Sequence, residues 1–166
     1  MDQAQGAIAA ARAAGAERYA KEELDAAVDE LRRSEEAVAQ RDYRLALSLA
    51  IDGQSRAQNA AKLAGEARAK VRGEAERAVG EVDALLTHAR ERLADPTVAT
   101  LPRRTLQDVR TTLASVEKSM QEARAALKGE DYSRTMQRTK GQIARIQAAL
   151  TAIDNALAAS LTRRRR

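Results

Sequence analysis

The same phrase occurs twice in this chain, 89 residues apart. Residues 21–43 (KEELDAAVDELRRSEEAVAQRDY) and 110–132 (RTTLASVEKSMQEARAALKGEDY) align without a gap, matching Leu24 with Leu113, Leu31 with Met120, Ala37 with Ala126 and Asp42-Tyr43 with Asp131-Tyr132. Repetition at a fixed offset marks a unit that cannot bury its apolar face alone and must stack on a neighbour. Each copy reads as a helix, a tight corner and a second helix.

The residues available decide the fold class. Phe and Trp are absent, Tyr occurs three times, and there are two prolines. The bulk is Ala, Leu, Arg, Glu and Gln, which lose least on entering a helix, so an all-α fold is expected. Enzyme pockets and nucleic-acid stacking platforms draw on aromatic side chains that this chain barely has. At 166 residues it is one ordinary domain or two small repeats fused.

The pattern predicts five helices. The first covers 2–14 and ends at Gly15, a residue suited to the left-handed cap. The second covers 21–40, with Glu22 and Glu23 in its first turn, where the helix dipole favours anions. The third, about 43–93, carries small or apolar residues at 46, 50, 53, 57, 60, 64, 67, 71, 75, 78, 82, 85, 89 and 93. The mean step is about 3.6, the period of a straight helix, and the stripe keeps phase across Gly53, Gly65, Gly73 and Gly80. One unbroken helix of roughly 75 Å is therefore expected in preference to a break near Gly65. Asp95-Pro96 should stop it, with a loop to Leu101. Pro102 opens the fourth helix, which runs to Leu127, and the fifth covers 132–161 with Met136, Ile143, Ile146, Leu150, Ile153 and Leu157 inward.

The expected architecture is two tandem antiparallel three-helix units sharing the long central helix: a first repeat over 1–70, a second over 71–162 and a basic tail at 163–166. Asp42 and Asp131 should cap the helices that follow them, and the Tyr43 and Tyr132 rings should pack back over the corner. Ala-rich stripes let helix axes approach closely, which leaves narrow cores with little room for a ligand.

Charge is uneven. Residues 1–83 hold 13 basic and 16 acidic side chains, and 84–166 hold 16 and 8. Half of the second excess is Arg163, Arg164, Arg165 and Arg166, which suggests a charged tail suited to an anionic surface rather than a basic fold. A second basic feature is a stripe in the second repeat, with Arg134, Arg138 and Arg145 on one face and Arg124 and Lys128 closing the neighbouring helix. These nine residues are the candidates for holding an anion or a partner. The plainer reading of the stripe is an arginine-rich solvated face.

Other tempting residues have ordinary explanations. There is no cysteine, and His88 is the sole histidine, too little for the usual protein-only metal site. Glu22-Glu23 and Glu35-Glu36 are adjacent, so they diverge by about 100° on a helix and cannot share acid-base work. The serines lack a nucleophile-elbow setting, and the glycines form no phosphate-cradling loop. No catalytic group, cofactor or metal is expected. No apolar run reaches the roughly 20 residues that span a bilayer. The first six residues lack the basic and apolar segments of a signal peptide, leaving a cytoplasmic protein or a mature form as alternatives.

The run Ala7-Ile8-Ala9-Ala10-Ala11-Arg12-Ala13-Ala14-Gly15-Ala16-Glu17-Arg18-Tyr19-Ala20-Lys21-Glu22-Glu23-Leu24, then Ala37-Val38-Ala39-Gln40-Arg41-Asp42-Tyr43, resembles the bacterial domain of unknown function 4398. That family shows an Ala-rich first helix, Gly-Ala-x-x-Tyr-Ala-Pro-Glu-x-Leu, and an Ala-rich helix closing on Gly-Asp-Tyr. The likeness covers about residues 4–64, with a degenerate second copy. Lys21 stands where the family favours proline and Arg41 where it favours glycine; Pro102 and Gly129 supply similar residues in the second copy. The helix-corner-helix pattern is also similar, more weakly, to tetratricopeptide units. The family resemblance implies a periplasmic or outer-membrane-associated helical protein, lipoprotein-like and without an assigned activity.

Three readings follow. The first is a non-enzymatic envelope scaffold with a protein or cell-envelope polymer as partner. The second is a cytoplasmic polyanion or nucleic-acid binder using the basic second half and the Arg tail. The third, a coat on lipid or polymer granules, is disfavoured because the stripes lack the Trp, Phe and Leu that anchor helices in an interface. Oligomeric state stays open, since an Ala-rich stripe is satisfied equally by its own chain or by another.

Overall fold

The computed structural model describes residues 1–164, and the described residues are almost entirely helical, with no strand among them. Of the expected basic tail, Arg165 and Arg166 lie outside the described residues, and only the backbone of Arg163 and Arg164 is described. The helices are α1 (Asp2–Ala13), α2 (Ala16–Tyr19), α3 (Lys21–Ala39), α4 (Tyr43–Ala94), α5 (Arg103–Lys128), α6 (Tyr132–Thr139) and α7 (Gln142–Arg164). A 3-10 turn at Val98–Thr100 precedes α5.

The long helix is unbroken through Gly65. Asp95 and Pro96 end it as expected: Asp95 Oδ1 accepts from the Thr97 amide at 2.8 Å and from the Thr97 hydroxyl at 2.6 Å. The following segment is more than a loop, because its 3-10 turn buries Val98 and Leu101.

Two expected helices differ from the pattern. The first ends at Ala13, and Gly15, at φ 90°, starts the separate short helix α2. The last, expected to run through 132–161, is divided at Lys140-Gly141, where Gly141 adopts φ 77°. A left-handed backbone suits glycine and ends the α6 register. Pro102 sits just outside α5 as its N-cap instead of in its first turn.

The chain divides into two compact units, Met1–Val71 and the chain from Arg72 onward. In the first, α1, α2 and α3 meet α4 in a core of Ile8, Ala11, Ala16, Leu24, Ala27, Ala57, Ala60 and Ala64. A separate small cluster of Ala37, Ala46 and Leu49 closes the α3–α4 corner. In the second unit the core is larger and more aliphatic, combining Val82 and Leu86 of α4, Val116 and Met120 of α5, and Ile146 and Ile153 of α7.

Alanine lets the first unit pack tightly, and Gly53 tightens it further. A Cβ built on Gly53 would lie 3.3 Å from the Ala27 carbonyl oxygen and 3.4 Å from Glu30 Cβ, so α3 and α4 approach at a spacing that leaves no comfortable room for a methyl group. At Gly65, Gly73 and Gly80 a Cβ would meet nothing within 4 Å.

The α3–α4 and α5–α6 corners repeat each other bond for bond. At the first, Arg41 is left-handed at φ 64°, its amide donates to Val38 O at 2.9 Å, and the Asp42 amide donates to Ala37 O at 2.9 Å. At the second, Glu130 is left-handed at φ 59°, with matching bonds from Glu130 to Leu127 O at 3.0 Å and from Asp131 to Ala126 O at 2.9 Å. This is the Schellman pattern that satisfies the last carbonyls of a helix. Gly129 does not take the left-handed position, at φ −84°. Non-glycine residues hold that position in both corners, at a cost of about 1–2 kcal/mol each. Asp42 and Asp131 then cap the next helix as expected, accepting at 3.0 Å from the amides of Leu45 and Arg134.

One buried bond is conserved in place but reversed in direction. The Ser34 hydroxyl donates to Ala46 O at 2.8 Å, joining α3 to α4, and Ser34 is fully buried. Adding 89 to these positions gives Ala123 and Thr135, and there the Thr135 hydroxyl, which donates to Asp131 O at 2.9 Å, also lies 3.4 Å from Ala123 O. The bridging hydroxyl sits on the first helix in one copy and on the second helix in the other.

Two predictions test this packing. Ser34→Ala should lower unfolding free energy by about 1 kcal/mol, the worth of a typical buried hydrogen bond. Adding Ala46→Thr to that variant should restore much of the loss by reproducing the second corner, as read by urea denaturation. Gly65→Ala, Gly73→Ala and Gly80→Ala should each stabilise the chain by up to about 1 kcal/mol, while Gly53→Ala should gain less or destabilise. Thermal melts of the four variants check the order.

Candidate functional site

The basic stripe of the second unit is largely engaged by its own chain. Arg124, on α5, reaches back to Asp83 on α4, with Nη2 2.5 Å and Nε 3.2 Å from the two carboxylate oxygens. Arg138 Nε is 3.1 Å from Glu122 Oε2. Arg145 donates to Ser115 Oγ at 3.0 Å and to Gln142 Oε1 at 3.2 Å. Lys128 and Arg134 are exposed and carry no ion pair among the described residues. The shared face expected for Arg134, Arg138 and Arg145 assumed one continuous helix; the left-handed turn at Gly141 interrupts that register between Arg138 and Arg145.

The corner tyrosines part ways. Tyr132 is 2% exposed and Tyr43 is 66% exposed. The expectation that both rings pack over their corners thus fails at Tyr43. The reason lies in what stands alongside. Tyr132 lines a depression with Arg72, Glu76, Leu127 and Lys128, so the stretch of α4 that opens the second unit covers it. The first corner has only the two-helix cluster of Ala37, Ala46 and Leu49 beneath it. Tyr43 belongs to an uncovered apolar patch with Leu47 and Ile51 on α4 and Val38 on α3. The sequence contained a signal for this patch: residues 43, 47 and 51 recur every four positions beside the buried 46, 50 and 53, widening the apolar arc beyond one neighbour's reach.

An open apolar groove of about 510 Å³ lies beside the α6–α7 division, lined by Ala78, Val82, Met136 and Ile143 and edged by Glu81 and Lys140. It lies on the surface beside the core, next to the Gly141 turn that divides α6 from α7. Elsewhere, Arg103 and Arg110 share a more polar hollow at the start of α5 with Gln107 and Thr111.

Titration behaviour is that of a solvated ionic surface. The Asp95 carboxyl is held below its ordinary value, chiefly by the Thr97 hydroxyl and then by the Thr97 amide. Arg72 is raised, first by its hydrogen bond to Glu76 at 2.8 Å, and Lys21 is raised by its bond to Asp25. Arg32, bonded to Asp29 and Glu36, is raised likewise. Among the described residues no group of three or more His, Asp or Glu side chains is placed to hold a metal ion, and no helix is long and apolar enough to cross a membrane. His88 is exposed on α4. What the surface can do chemically is pair charges and present apolar side chains.

No family model, curated protein or solved structure matches this chain.

The unequal tyrosines give a direct measurement. Tyr132→Ala should cost about 3–5 kcal/mol, as for other buried aromatic truncations. Tyr43→Ala should stay within about 0.5 kcal/mol of the parent. Comparable losses at both positions would mean that something covers Tyr43 in solution.

Proposed function

We propose that the protein is a non-enzymatic helical scaffold or interaction protein of the bacterial cell envelope, periplasmic or outer-membrane-associated, with a protein or an envelope polymer as partner. The observation that carries the interaction part is the patch of Val38, Tyr43, Leu47 and Ile51, which leaves large apolar side chains in water on a surface otherwise laced with ion pairs. Surface apolar clusters of this kind mark contact sites. The location rests on the resemblance of residues 4–64 to the envelope family, through the Ala-rich α1 and the Ala37-to-Tyr43 corner.

In this reading the chain is a duplicated antiparallel three-helix unit, with the long α4 shared by both copies. Support comes from the two Schellman corners at one constant offset, the reversed hydroxyl bridge, and a core in each unit to which α4 contributes.

A second reading, a cytoplasmic polyanion binder, draws on the unpaired Lys128 and Arg134 and on the Arg103–Arg110 hollow. One experiment separates the two. The gene is expressed with its own upstream coding sequence and the cells are fractionated. The envelope reading expects the protein with periplasm or outer membrane. Cytoplasmic recovery, together with DNA binding that weakens steeply with added salt, would replace it with the second reading.

A further inference from the structure

The second unit shows what the first one lacks. In the second unit the α5–α6 hairpin has α4 alongside it: Arg72 and Glu76 line one depression with Leu127 and Tyr132, and further on Ala78 and Val82 face Met136 and Ile143 across the open groove. In the first unit the corresponding position is taken by α1, but only at the end remote from the corner, where Ile8 and Ala11 meet Leu24, Ala27, Ala57, Ala60 and Ala64. At the corner end Val38, Tyr43 and Leu47 are 38%, 66% and 63% exposed, whereas of their counterparts Leu127 is half-buried, Tyr132 is 2% exposed and Met136 is 40% exposed, so the contrast is sharpest at the tyrosine. The seat for a third helix is present there and open.

Its rim carries charges that specify an occupant. In the second unit Arg124 pairs with Asp83 of the seated α4, and Glu130 lines the same depression as Arg72, whose guanidinium is held first by Glu76 of its own helix and also feels the Glu130 charge. The corresponding positions in the first unit are Glu35 and Arg41, so both signs are reversed. Glu35 and Arg41 are exposed and carry no ion pair among the described residues. A helix seated here therefore needs an acid where α4 has Arg72 and a base where it has Asp83, eleven residues on.

We propose that this open seat receives an amphipathic helix of a partner protein, with small aliphatic residues spaced like Ala75, Val79, Val82 and Leu86, an acidic residue facing Arg41 and a basic one facing Glu35. The area argues for a single helix over a second copy. Val38, Tyr43, Leu47 and Ile51 expose roughly 400 Å² of apolar surface, the scale of a functional patch. Two such patches face to face bury about 800 Å², below the roughly 1,200 Å² of a stable dimer. A helix lying in a groove engages through just such a stripe of anchors spaced three and four residues apart.

The proposal deepens the interaction-protein reading and rests on it, but not on the envelope location, which fractionation tests separately. The probe is a fluorescent synthetic peptide spanning residues 72–90 with Arg72→Glu and Asp83→Arg, titrated against the full chain and compared with the unmodified peptide. The modified peptide should bind, with the unmodified one about tenfold weaker. Leu47→Glu in the protein should abolish binding while leaving the helical circular dichroism unchanged, since Leu47 is already mostly in water. The double variant Glu35→Arg, Arg41→Glu, altered only at exposed positions, should invert the preference between peptides. Equal binding of the two peptides, binding that survives Leu47→Glu, or no binding of either would overturn the proposal. So would sedimentation of the parent as a dimer that Leu47→Glu dissociates, which would assign the seat to a second copy.

Discussion

A pair of antiparallel helices buries one side of each helix, and a third helix must close the triangle before the interior is dry. That requirement governs this molecule. Where α4 stands beside the corner, as in the second unit, the core holds Met120, Ile146 and Ile153 completely buried and even a tyrosine at the corner is covered. Where the third helix reaches only part way, as with the twelve-residue α1, the interior divides into an Ala-rich core and a small separate cluster at the corner. The exposed Tyr43, Leu47 and Ile51 follow from that short reach.

Much of the fold was legible because it depends on local chemistry. The period of the α4 stripe, the Asp95-Pro96 stop and the Asp42 and Asp131 caps are written in adjacent residues, and each acts over a few bonds. What was less legible needed a choice between competing local options. Lys140-Gly141 sits within a stretch of otherwise good helix formers, and whether that glycine continues the helix or turns left-handed depends on the packing around it. The left-handed position at the second corner is likewise not set by residue type. Gly129 is the natural occupant by residue type, yet the hydrogen-bond register, which matches that of the first corner, puts Glu130 there.

The candidate site was less legible than the fold. Arginine spacing alone does not reveal that Asp83, 41 residues from Arg124 in sequence, would face it, or that Glu122 would reach Arg138. Counting cations along a helix measures charge before pairing, whereas binding depends on what remains after it. The apolar patch was missed for the converse reason. Both Tyr43 and Tyr132 were expected to pack over their corners from their place after the capping Asp, and nothing in the corner motif itself records whether a third helix stands alongside.

The differences between the copies are therefore more informative than their likeness. At the buried bridge the hydroxyl stands on the first helix of one corner and on the second helix of the other, where its closer acceptor is Asp131 O at 2.9 Å and Ala123 O lies at 3.4 Å. On the rim the change is of another kind: Arg124 and Glu130 in one copy stand where Glu35 and Arg41 stand in the other. An exposed charge with no partner contributes little to stability, so the fold itself exerts little demand on its sign. A paired reversal at two positions, both flanking an apolar seat with no helix in it, is what charge complementarity to a different helix requires. In the proposed reading, the geometry that closes the second unit from within serves, with its signs exchanged, as a surface for recognition in the first.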